Sequence, residues 1–131
     1  MNALHLFVLV MLLHFFADFN LQIGATLHQM KQRSWWVDQC SKLKLGFTPY
    51  RNDWIVALLI HSMVWSMLSY LPLVLNTQNG WLISGIVVGN TIVHAVIDHL
   101  KANRRCINLV VDQILHLVQI SITIGLWWMY K

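Results

Sequence analysis

Residues 81–100 read WLISGIVVGNTIVHAVIDHL. At 1.5 Å per residue this stretch covers about 30 Å as a helix, the thickness of a bilayer's hydrocarbon core. It carries no charge before Asp98. Asn90, His94 and Asp98 recur at every fourth position, which puts them on one helix face, one turn apart. A segment that is apolar all round except for one polar stripe reads as a membrane span whose stripe faces other helices.

The pattern extends along the chain. Only 11 % of the 131 residues are charged and 57 % are hydrophobic, against about 25 % charged in an ordinary soluble domain. Mean hydropathy is +0.57. These values argue against a soluble single-domain enzyme. Three further segments are long enough to cross hydrocarbon: 3–19, 54–75 and 108–130. The first lacks a basic leader and places His14 and Asp18 where a signal peptide would carry small residues, so it reads as a permanent helix. The expected fold is therefore all-α: one polytopic four-transmembrane-helix bundle over residues 1–131, with helices at about 3–19, 54–75, 81–100 and 108–130.

The intervening residues 20–53 are too many for a structureless loop in so small a protein. Leu21, Ile23, Leu27, Met30, Trp35, Trp36 and Val37 alternate there with basic and amide side chains, as in an amphipathic segment lying in the membrane interface. Helices at 54–75 and 81–100 form an antiparallel hairpin across the Asn76–Gly80 turn. Ser62, Ser66, Ser69, Gly85 and Gly89 supply small residues for close helix approach.

Net charge is +4 and the pI about 9.4. The cations are topological signals rather than a nucleic-acid footprint. Lys31, Arg33, Lys42, Lys44 and Arg51 fall between the first two spans, and Lys101, Arg104 and Arg105 between the last two. By the positive-inside rule both loops are cytoplasmic and both termini lie outside. Trp81, Trp127, Trp128 and Tyr130 mark the outer interface, and Trp35, Trp36, Tyr50 and Trp54 the inner one. Cys40 and Cys106 lack CxxC spacing and are expected as reduced thiols.

There is no Glu, and eleven of the fourteen charges lie in loops or at Lys131. The remaining three are Asp18, Asp98 and Asp112, each inside an apolar stretch where a charge is costly. Each has a histidine four positions away: His14, His94 and His116. His61 adds a histidine from the second span. Counted at 1.5 Å per residue from the cytoplasmic ends, Asp18 and Asp98 lie roughly 3 to 5 Å deep, His14, His61, His94 and Asp112 about 9 to 11 Å, and His116 on the order of 16 Å. All seven fall in the cytoplasmic half and can share one centre. Histidine nitrogens and carboxylate oxygens are ligands for divalent metals, with zinc the first expectation, as one or two ions.

Read as a string, His14-x-x-Ala17-Asp18-Phe19-x-Leu21-Gln22, the lone His61, His94-x-x-Ile97-Asp98-x-x-Lys101 and Asp112-Gln113-x-x-His116 resemble a family of small bacterial and phage membrane proteins, domain of unknown function 3307. The resemblance spans nearly the whole chain. It implies a fold and a set of signature residues without a reaction, and it adds Gln22, Lys101 and Gln113 at the rim of the site, where they could hold substrate or orient ligands. Lys101 would pair Asp98 or a lipid phosphate.

The leading functional expectation is a metal-dependent hydrolase of a lipid-like substrate, with metal-activated water attacking at the cytoplasmic leaflet. Its ligands would come from His61, His94 and His116 with Asp98 or Asp112, and Asp18 and Asp112 are the expected general bases. A second reading is a non-catalytic phage or mobile-element protein acting on a host envelope partner, its His and Asp residues serving as structural glue. A third is a haem-binding bundle. A partner copy of the chain is open in each case, and nucleic acid is not expected.

Overall fold

The structure, a computed structural model, describes residues 2–20 and 26–130; Gln22 lies outside them. Every regular element among the described residues is helical. In order these are α1 (Ala3–Phe15), a π-helical turn (Phe16–Asn20), α2 (Thr26–Met30), α3 (Arg33–Lys42), a 3₁₀ turn (Thr48–Tyr50), α4 (Asp53–Ser69), α5 (Leu71–Leu75), α6 (Gly80–Ala102) and α7 (Leu109–Tyr130).

Asparagines begin three of the long helices. Asn2 accepts from the His5 amide, Asn79 from the Trp81 and Leu82 amides, and Asn108 from the Val111 amide, so each satisfies donors that a helix start leaves unpaired. The last two spans match their expected bounds within a residue or two. The first two do not form single long helices. Pro72 has no amide hydrogen to bond the Leu68 carbonyl and its ring crowds that carbonyl, so α4 ends, the chain breaks at Tyr70 (φ −97°, ψ 10°) and it resumes as α5 with the proline in its first turn. At the end of α1 the Phe16 amide is shared between the Leu12 and Leu13 carbonyls, and the helix widens into the π turn that carries Asp18. Consequently, among the described residues, only α6 and α7 are long and apolar enough to cross a membrane by themselves.

Helices α1, α4, α6 and α7 close a four-helix ring, each packed on two neighbours, with α4 against α6 the most extensive contact. Ser62, Ser66 and Ser69 are fully buried, and the Ser66 hydroxyl donates to the Val87 carbonyl across that contact, as small residues at a close crossing should. Gly85 and Gly89 do not take this part: nothing lies near the position of a Cβ on either, and both line an open groove between α6 and α7.

The interior is layered. At the end holding both termini it is apolar, with Leu6, Val10, Tyr70, Leu73, Ile86, Ile120, Ile124 and Trp127 clustered around Trp65. Towards the basic end it becomes polar, with His14, His61, His94, Asp98, Asp112 and His116 all buried. The periphery is the reverse: Leu4, Leu12, Val56, Met67, Val88, Ile92, Val110 and Ile122 are exposed on the outer faces of the four helices. A soluble bundle buries its apolar side chains and hydrates its charges.

Segment 26–53 caps the basic end. Asn103, at the end of α6, donates to the Lys31 carbonyl and accepts from the Arg33 amide. The two basic loops are thereby joined at the turn between α2 and α3. Part of the expected interfacial segment thus reaches inward, because Lys31 is only 3 % exposed.

Candidate metal centre

Lys31 extends from that turn into the bundle. Its Nζ lies 2.5 Å from Asp98 Oδ2 and 3.2 Å from His61 Nε2. His61 Nε2 is 2.9 Å from the same carboxylate oxygen, and His94 Nε2 is 3.3 Å from His61 Nε2. An ammonium group therefore stands against Asp98 and His61, two of the residues expected to hold a metal. Sequence reasoning placed Lys31 among the cytoplasmic loop cations and missed this role. The available signal was charge balance, since three buried carboxylates call for buried cations.

Lys101 is also an internal partner, but of Asp112 rather than Asp98: Nζ lies 2.6 Å from Asp112 Oδ2. Gln113 stands beside it and donates to Asp18 Oδ2 at 3.1 Å and to Asp112 Oδ2 at 3.0 Å. Behind Gln113 the proton positions follow from chemistry. The Trp65 indole N–H can only donate, and it points at His14 Nδ1 at 3.0 Å. The His14 proton is therefore on Nε2, which donates to Gln113 Oε1 at 3.2 Å. Both nitrogens of His14 are engaged, so this residue orients Gln113 rather than ligating. The sequence pair His14 and Asp18 is joined through that amide.

A second relay fixes His116. The Gln119 amide nitrogen donates to the Asn90 backbone carbonyl at 3.0 Å and to its side-chain oxygen at 2.9 Å, which leaves Gln119 Oε1 to accept from His116 Nδ1 at 3.4 Å. With Nδ1 donating, the neutral form of the ring carries its lone pair on Nε2. That atom faces Asp112 Oδ1 at 3.6 Å, and neither atom has a hydrogen-bond partner among the described residues. Two buried acceptors facing one another are satisfied by a positive charge between them, either a proton on Nε2 or a metal ion. Their separation is long for a hydrogen bond, yet close to the roughly 3.4 Å between two ligands of a tetrahedral zinc ion with bonds of about 2.1 Å.

Ligand-capable atoms of Asp18, Asp112 and His116 lie within 4.8 Å of one another, as do those of Asp18, His61 and His94 and those of His94, Asp98 and His116. The three groups share members and form one connected cluster, as the matching depths predict. Trp65, His94 and His116 stack through it, with ring centroids 4.0 and 4.4 Å apart. That spacing is ring-to-ring contact and counts against a porphyrin between these histidines. Trp65 and Gln119 were also missed, although both are legible as stripe members: Trp65 is one turn from His61, and Gln119 three residues from His116.

The chain matches no protein-family model, no curated protein and no solved structure, so the resemblance to the domain of unknown function 3307 family rests on its four motifs alone.

Proposed function

We propose that the chain is an integral membrane protein that holds one divalent metal ion between Asp112, His116 and Asp18, near the cytoplasmic ends of its four helices. The observation that carries this reading is a pair of buried atoms, Asp112 Oδ1 and His116 Nε2, that face each other at 3.6 Å and have no hydrogen-bond partner among the described residues. The donor set of one imidazole and two carboxylates suits zinc and, next to it, manganese or iron. A water on such an ion is acidified enough to hydrolyse an ester or amide, and the substrate class that reaches this depth is lipid-like. The ammonium of Lys31 beside Asp98 limits the expectation to one ion rather than two.

Membrane embedding of all four helices, including the interrupted α1 and α4–α5 segments, is supported by the apolar side chains exposed on every outer face. The eight basic residues of the two joined loops put that end in the cytoplasm. Cys106 is exposed there. A membrane-impermeant maleimide should label it in inside-out vesicles and leave it unlabelled in intact cells; the opposite pattern reverses the topology.

Elemental analysis of the full chain, purified without added metal or chelator, tests the centre. About one divalent ion per chain is expected. Folded protein that contains no metal and binds none on dialysis against micromolar zinc, manganese or ferrous iron overturns it. The outcome would then favour the second reading, a purely structural network, for which the two lysine–aspartate pairs are the supporting observation.

A further inference from the structure

Outside the bundle's core, the basic end carries a cavity of about 920 Å³ between the start of α3, the start of α4 and the end of α6. Arg33, Arg104 and Arg105 line it, together with His99, Trp54 and Asn103, and no acidic side chain does among the described residues. None of the three arginines belongs to an ion pair among those residues. The Arg104 amide donates to the His99 carbonyl at 3.0 Å. The Arg33 guanidinium lies over the Phe47 ring at 5.8 Å, and its backbone is held by Asn103. Arg105 adopts left-handed backbone (φ 55°), where glycine would be relaxed. Trp54 stacks on His99 with centroids 5.3 Å apart and forms a flat wall.

Three guanidinium groups around one cavity sum to a positive potential that favours an anion among them. Arginine's planar fork matches phosphate oxygens two at a time. Basic pockets on the cytoplasmic side of helical membrane proteins meet anionic headgroups at that depth, and the volume is within the range of small-molecule sites. From these observations we infer that the cavity binds a phosphate-bearing anion, either the headgroup of an anionic phospholipid or free phosphate. This inference is independent of the metal centre, whose residues do not line the cavity.

The test is titration calorimetry on the full chain in a neutral maltoside detergent, with three probes: dihexanoyl phosphatidylglycerol, dihexanoyl phosphatidylcholine and inorganic phosphate. Arg33→Gln with Arg104→Gln should weaken binding of the anionic probe roughly 30-fold, at about fivefold per arginine. Arg51→Gln, in the same loop but outside the cavity, should leave it unchanged. Preference for phosphatidylglycerol over phosphatidylcholine, with weak phosphate binding, identifies a lipid headgroup. Phosphate binding as strong as that of the lipid identifies the free anion. Both results support the cavity. Equal binding of both lipids and none of phosphate by the unsubstituted protein overturns the proposal whether or not the variants fold, and so does an equal loss in Arg51→Gln, which would indicate a diffuse basic surface.

Discussion

His116→Gln should release the metal ion while leaving the helical bundle assembled. Glutamine keeps most of the ring's volume but removes the Nε2 lone pair that faces Asp112 Oδ1. Asp112→Asn removes the opposing charge and should do the same. Loss of a direct ligand should exceed the about 10- to 100-fold in metal affinity that loss of an outer partner costs. Gln119→Leu is a case of the latter, because it leaves the ligand in place and removes the acceptor that holds the proton on His116 Nδ1, along with the donor to Asn90. The order expected from competition with a calibrated chelator is therefore full affinity in the unsubstituted protein, an intermediate value for Gln119→Leu and the weakest binding for the two ligand variants. Unchanged metal content in both ligand variants would place the ion elsewhere.

Lys31→Met should be the most destabilising single change in the cap. Asp98 is 1 % exposed, and its carboxylate is matched by the Lys31 ammonium at 2.5 Å. Removing one partner of a buried pair strands the other, at about 3 to 5 kcal/mol. The double variant Lys31→Met with Asp98→Asn removes both charges and should recover most of the loss, with the difference measured as a coupling energy by unfolding in mixed micelles. It should also retain its metal, since Asp112 and His116 are untouched. Equal stability of the single and double variants would mean that Lys31 does not balance Asp98.

Much of the architecture is present in local patterns. Apolar length sets α6 and α7, and the four-residue spacing of Asn90, His94 and Asp98 orients α6 correctly, because helix geometry alone decides which residues share a face. Pro72 was visible too, but whether a proline kinks a helix or ends it depends on what packs around it, and the break at Tyr70 is such a tertiary outcome. The π turn at Phe16 has no comparable local sign.

The candidate site divides in the same way. Asp112 and His116 were legible as a pair on one helix. Lys31 was harder to place, since a lysine in a basic run is usually hydrated and charge balance does not say which cation is buried; the Asn103 clamp across 72 residues of chain and the Asp98 carboxylate direct it inward. His14 was expected as a ligand from spacing, and the indole of Trp65, from another helix, determines that it is not.

The inward lysine also couples the cap to the core. Segment 26–53 cannot lift off the bundle without withdrawing the countercharge from Asp98. If detachment costs about 3 kcal/mol through that pair alone, fewer than roughly one molecule in a hundred is open at any instant. Amide exchange in α2 and α3 should accordingly be slow for helices so short and so near the surface, and it should accelerate together with detergent sensitivity when Lys31 is replaced. Lys31 is thus a quantitative reporter of how often the bundle opens at its basic end.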